Sequence, residues 1–94
     1  MAHEIHQQDD GARGRFYIVL PDHAEAALVY SKRDGVWSAD STRVPEAYGG
    51  QGIAGELTTA FVAAAREAGV KVVPACSYVA HWFEKHPAHS DLVA

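Results

Sequence analysis

Four glycines, Gly49, Gly50, Gly52 and Gly55, fall within the stretch "VPEAYGGQGIAGEL", and an amphipathic pattern starts directly after them. Glycines at the mouth of a helix permit one particular kind of chemistry. The first N–H groups of a helix lack intrahelical acceptors and carry the positive end of its dipole, so a backbone without side chains can close there around an anion. The plainer reading is a turn that merely starts a helix. One turn needs fewer glycines than this run supplies, which favours the anion cradle.

Two nucleotide motifs share the spacing and fail on context. Gly50, Gly52 and Gly55 match G-x-G-x-x-G, but that fingerprint follows a strand immediately and is answered, about 20 residues on, by a carboxylate. Here "VPEAY" precedes the loop, and the next apolar run ends in Pro74 and Ala75. A Walker A loop is excluded because Glu56 and Leu57 stand where lysine and a hydroxyl are required.

Cys76 is the only cysteine. It allows no intrachain disulfide and no multi-cysteine zinc site, and it fits a reducing compartment. In "VVPAC" it stands between an apolar run and a helical pattern, where amino-terminal N–H groups lower a thiol's pKa and favour a nucleophilic thiolate. The alternative is a small buried apolar residue. Among the six histidines, His81 and His86 are five apart, share no helical face and have no acidic companion, so no metal is expected. His86 suits a helix carboxyl end. Trp37 and Trp82 read as core anchors.

The elements that must hold these groups follow from periodicity. "GRFYIVL" (residues 14–20) reads as a largely buried strand ended by Pro21 and Asp22. Residues 26–31 and 36–42 form a hairpin whose Asp34-Gly35 turn supplies positive φ angles. The segment before Gly11 adds a weak edge strand. From Gly52 to Ala68, the residues Ile53, Leu57, Ala60, Phe61, Ala64 and Ala68 recur at helical spacing, and Gly69 ends the helix. "VKVV" (residues 70–73) reads as an interior strand covered on both sides and stopped by Pro74. A second helix spans residues 77–86 with Val79, Trp82 and Phe83 inward, until Pro87 prevents continuation; the rest reads as a short tail. Three antiparallel strands leading into a right-handed strand-helix-strand crossover predict an α+β fold with a mixed, mostly antiparallel sheet and two packed helices.

Ninety-four residues suit a single domain, and the formal charge of -4 with a pI near 5.8 offers no overall excess of positive charge for nucleic acid or an anionic membrane. The start has no apolar leader, and no run is long enough to span a bilayer, so a cytoplasmic location is expected.

"GGQGIA" resembles the acyl-coenzyme A pyrophosphate loop of the GNAT acetyltransferase superfamily, R/Q-x-x-G-x-G/A, with Gly52 and Ala54 in its last two defined positions. "TRVPEAYGGQGIAGEL" followed by "VKVVPACSYVAHWFEKHP" is similar to a family of small GNAT-like proteins containing little beyond the coenzyme-binding core, over residues 14–93. The resemblance implies acetyl-coenzyme A as acyl donor, an amine acceptor whose identity is unreadable, and N-acetyl transfer. It implies that the strands on either side of the loop and its helix splay apart around the pantetheine arm. Backbone near Arg43 and Val44 would meet that arm, and Gly49, Gly50, Gln51, Gly52, Ile53 and Ala54 would form the phosphate loop. Arg43 either reaches the anionic coenzyme or is a solvated strand end.

Three departures matter. Gly49 replaces the usual Arg or Gln, "DSTR" lacks a histidine that many relatives carry nearby, and Phe83 stands in the place of a proton-donating tyrosine. Tyr78, His81 and Cys76 remain for proton chemistry. Cysteine is common at position 76 in the resembling family, which suggests an acyl-enzyme. The alternative is a non-catalytic coenzyme A-binding or interaction module.

Overall fold

The computed structural model describes residues 3–94. Five strands lie in the order β1 (His6–Asp9), β2 (Arg13–Val19), β3 (Glu25–Arg33), β4 (Val36–Arg43) and β5 (Lys71–Val73), with α1 (Ile53–Ala68) between β4 and β5 and α2 (Ser77–Lys85) after β5. The first four strands are antiparallel to their neighbours and β5 runs parallel to β4. The α+β architecture anticipated above is therefore the one observed, including the weak edge strand before Gly11.

Alternation decides which face of the sheet is covered. Phe16 and Ile18 of β2, Ala26, Leu28 and Tyr30 of β3, and Ala39 of β4 are buried, together with Leu57 and Phe61 of α1 and Val79 of α2. Residues one position out of phase face the other way and stay accessible. The β3–β4 turn adopts φ 52° at Asp34 and 76° at Gly35, the twist a tight hairpin requires. Gly14 has a different reason to be glycine. It lies opposite Tyr30, whose ring covers it so closely that a Cβ would come within 2.4 Å of the ring carbon Cζ and of the hydroxyl.

Several expectations need correction. β5 is not interior: it pairs with β4 on one side only along its length, Val72 is its one buried residue, and Val73 is 39% exposed. Val72 is buried in an edge strand because the segment after α2 shields it. That segment is no loose tail. It forms a 3₁₀ turn at Pro87–Leu92, buries Leu92, and bridges Val93 to Val72, with the Ala94 N–H donating to the Val72 carbonyl at 2.8 Å. The buried stripe of α1 consists of Ile53, Leu57, Thr58, Phe61, Val62 and Ala65, while Ala68 is exposed. The bulky residues set the rotation of the helix and the alanines follow. Thr58 is tolerated inside because its hydroxyl donates to the Ala54 carbonyl at 2.8 Å.

A fork between two strands and a glycine-lined cleft

The first half of β4 is joined to β5 at Val36 opposite Lys71, Trp37 opposite Val72, and Ser38 opposite Val73. One more bond follows, from the Cys76 N–H to the Ala39 carbonyl at 2.8 Å. Beyond it the two chains part. The cause is local: Val29 faces Ser41 and Tyr30 faces Ala39, so Asp40 is an extra residue in β4. Such a bulge bends its strand and sharpens the twist. After it, β4 stays paired with β3 through Arg43, and its other edge opens. The Asp40 carboxylate accepts the Ser38 hydroxyl at 2.8 Å, fixing the bend.

Cys76 lies in this opening as the residue preceding α2, with its sulfur 3.5 Å from the Thr42 hydroxyl across the fork. It is half-buried. Burial alone pushes the thiol's pKa up, but the Thr42 hydroxyl and the N–H groups of Val79, Tyr78 and Thr42 outweigh it, and the net direction is down. Sequence reasoning singled out Cys76 but missed Thr42 and the bulge. Their signal is faint, a polar "SADST" interrupting strand alternation.

The glycine loop follows β4 and leads into α1. Gly50 and Gly52 both adopt φ 78°, and a Cβ at either would meet nothing within 4 Å, so backbone conformation demands glycine there and leaves the approach clear. Gly52 is the residue before α1, one position later than the expected helix start, and no side chain caps the helix. Among the described residues, the N–H groups of residues 50–55 donate to no other backbone group, the arrangement an anion site requires. Gly49 differs, since its N–H is engaged by the Glu46 carbonyl at 3.1 Å. Ile53 as a whole is 1% exposed, and its side chain packs in the core. Gln51 is exposed. Glu56, an acid in the first turn of α1, has its carboxylate turned to the backbone N–H and ring of His3, both at 2.9 Å.

A cleft of about 300 Å³ runs along this loop, lined by Val44, Tyr48, Gly49, Gly50, Gly52, Ile53, Ala54 and Tyr78. Tyr78 hangs over the first turn of α1, so that a Cβ on Gly55 would lie 3.4 Å from its hydroxyl. Larger concavities, of about 510 and 610 Å³, lie on the open face of the sheet away from the loop. Neither borders the row of free backbone donors that the smaller cleft borders. Arg43 is exposed and points to the opposite face from Thr42. Phe83 is buried edge-on against Trp82. The His86 Nδ1–H donates to the Trp82 carbonyl, 2.7 Å away, and the imidazole stacks on the Trp82 ring, closing the end of α2. His81 is exposed. Among the described residues, no three histidine, cysteine or acidic side chains converge as metal ligands would.

A family model described as GCN5-related N-acetyl-transferase matches residues 15–92. The chain belongs to the GCN5-related N-acetyltransferases. No curated protein matches it. Among solved structures, the NMR solution structure of a GCN5-like candidate N-acetyltransferase from Staphylococcus aureus is similar to it at a TM-score of 0.75 and 32% identity, over 97% of this chain and 87% of that one. In this acetyltransferase fold the glycine-lined cleft is bounded by Val44 just after β4, by the start of α1, and by Tyr78 of α2, two residues past Cys76 in the chain. No helix of the described residues is long and apolar enough to cross a membrane.

Proposed function

We propose that this acetyltransferase-family chain binds acetyl-coenzyme A along the loop and fork and transfers its acetyl group to an amine through Cys76. The observation that carries the reading is the opening of β4 from β5 after Ala39 with the Cys76 sulfur inside it, two residues before Tyr78, which lines a cleft bordered by a row of free N–H groups. Acetyl-coenzyme A supplies an acetyl group activated as a thioester. The N–H groups of Gly50, Gln51, Gly52, Ile53 and Ala54 hold the diphosphate, and the open edge of β4 near Arg43 and Val44 accepts the amide-bearing arm. Gly49 contributes flexibility and clearance without a donor.

At the fork, the Cys76 thiolate attacks the acetyl carbonyl, the carbon–sulfur bond to the coenzyme breaks, and the departing thiolate takes a proton. An incoming amine then attacks the acetyl-cysteine thioester, gives up a proton, and regenerates the Cys76 thiolate. Thr42 and the amino end of α2 stabilise that thiolate before attack and after release. Tyr78, 41% exposed and lining the cleft, is positioned to donate the proton to the leaving group.

Intact mass after mixing with acetyl-coenzyme A tests the route. One acetyl group is gained by the native chain and none by Cys76→Ser, and the acetyl is lost when an amine is added. Turnover of an amine by Cys76→Ser at the native rate would remove the acyl-enzyme and leave direct transfer. A second reading, a coenzyme A-binding module without catalysis, has the buried Phe83 in its favour, because the last helix supplies no hydroxyl at that position. Tight coenzyme binding with no acetylation of protein or amine would select it.

A further inference from the structure

The face of the sheet turned away from α1 has no helix on it and carries a concentration of positive charge that the chain's overall balance hides. Strand register puts the residues of this face side by side. Arg13 lies opposite Ser31, Ser31 opposite Ser38, and Ser38 opposite Val73; Arg15 lies opposite Val29 and Val29 opposite Ser41; Ala27 lies opposite Arg43, and Arg33 opposite Val36. Directly opposed residues, and residues two apart along a strand, share a face. Four arginines, Arg13, Arg15, Arg33 and Arg43, are therefore collected on one side of a chain whose formal charge is -4. Arg15 is held by Glu25 at 2.7 Å and lies over the Tyr17 ring at 4.1 Å. The guanidinium groups of Arg13, Arg33 and Arg43 make no ion pair or side-chain hydrogen bond among the described residues. Between the arginines lie serines and valines, with Val29 in one basin, Val36 and Val73 beside Ser31 and Ser38 in the other, Asp9, Asp10 and Asp34 at the basin edges, and Val19 49% exposed at the rim.

We propose that this face docks an extended, acidic polypeptide segment whose residues turned toward the sheet are in turn carboxylate and apolar, and that the segment carries the acceptor amine. Arginine forks match the carboxylates, and the apolar side chains on the same side match the valines. A nucleic acid fits less well, because Tyr17 is already covered by Arg15 and stacked by His6 and leaves no open ring for a base. Arg43 joins this face to the fork: its neighbour Thr42 turns to Cys76 while Arg43 turns to the docked segment, so an amine on that segment reaches the acyl group through the opening in the sheet. Docking itself rests on the charge pattern, and only the role of the docked amine rests on the transfer reading.

The test uses the full chain and a fluorescent peptide of repeated Glu-Ser-Val-Ser around one lysine, which puts glutamate and valine on the same side of an extended segment, followed by anisotropy. Binding is expected to saturate, to weaken as salt rises, and to weaken about tenfold in Arg13→Glu/Arg33→Glu while melting temperature and coenzyme A binding hold. With the peptide lysine as acceptor, the same variant raises KM about tenfold with kcat little changed. If the double reversal does not fold, Arg13→Gln/Arg33→Gln replaces it, and amide shifts on adding peptide to the native chain must centre on Arg13, Val29, Ser31 and Ser38. The proposal is overturned by absence of saturable binding, by equal binding in the folded variant, by shifts centred on the helices, by an oligothymidylate binding as tightly as the peptide, or by a dimer in sedimentation that the variant abolishes. Coenzyme A binding without peptide binding removes this inference alone. Peptide binding without coenzyme A binding leaves the docking surface standing and removes the transfer reading.

Discussion

β4 is one strand with two fates. Its first half, Val36 to Ala39, is held on both edges and packed from above, where Trp37 stacks on Tyr30 at 5.1 Å and both rings meet Phe61. Its second half, Asp40 to Arg43, is held by β3 alone and turns polar groups and the Cys76 sulfur into an opening. One extra residue at Asp40 separates them. The lesson is a division of labour within a strand: the closed half anchors the sheet so that the open half can leave its backbone unpaired, a liability that an unsupported edge could not carry.

That division makes stability and activity separable by mutation. The largest loss of stability is expected from Phe61→Ala, which empties the centre of the aromatic cluster. Phe61 is fully buried. Truncation at such a site costs about 3–5 kcal/mol, a large part of the 5–15 kcal/mol typical of a small domain. Urea titration should show a midpoint lowered sharply or lost. A loss below about 1 kcal/mol would mean that the cluster does not anchor the closed half. Gly14→Ala comes next. The added methyl collides with Tyr30 and with the Gln8 carbonyl, 2.9 Å away, and overpacking of this kind costs about 1–3 kcal/mol. Tyr30→Phe in the same background should not rescue it, because the ring carbon is as close as the hydroxyl.

The same contrast explains what the sequence discloses. In the closed half every level agrees: alternation, β-branched and aromatic residues, and the Asp34-Gly35 turn all predict the hairpin that forms. The glycine loop is legible too, since Gly50 and Gly52 take the left-handed conformation that only their type adopts easily. What resists reading is whatever depends on distant partners. The buried stripe of α1 is set by the sheet beneath it, so Val62 and Ala65 are inside and Ala68 outside against the simple count. The apolar run at β5 looks interior because its cover, Leu92 and Val93, comes from a segment with no strand pattern of its own. Thr42 declares nothing until Cys76, 34 positions away, is brought beside it.

A third effect, smaller, belongs to the rim of the closed half. Asp9 accepts from Lys32 at 2.9 Å, from the Tyr30 hydroxyl at 2.7 Å and from the Gly11 N–H at 2.8 Å. Led by the Lys32 bond, these hold its pKa at about 2, below the ordinary 3.8. A carboxylate with a depressed folded pKa stabilises fully above its unfolded value and loses that contribution as pH falls through the folded one. Asp9→Asn should therefore cost about 1 kcal/mol near neutral pH, a figure reduced for solvent screening of a partly exposed pair. The gap to the native chain should close between pH 4 and pH 2, as thermal melts across that range would show. A gap that persisted below pH 2 would assign the loss to packing.

The smallest change in stability and the sharpest test of the open half come from Thr42→Val. Valine keeps the shape and removes the hydroxyl, so melting should move within about 0.5 kcal/mol of the native value, as at other accessible sites. The thiol is another matter. Burial raises the Cys76 pKa, and without the Thr42 hydroxyl only backbone N–H groups of Val79, Tyr78 and Thr42 oppose it. The pH midpoint for alkylation by iodoacetamide should rise, with slower reaction near neutral pH and the native rate once the thiol is fully ionised. Thr42→Ser, which restores the donor, should return the midpoint toward the native one. An unchanged midpoint in Thr42→Val would mean that the helix start alone sets the thiolate, and the contact across the fork would then have no part in the chemistry.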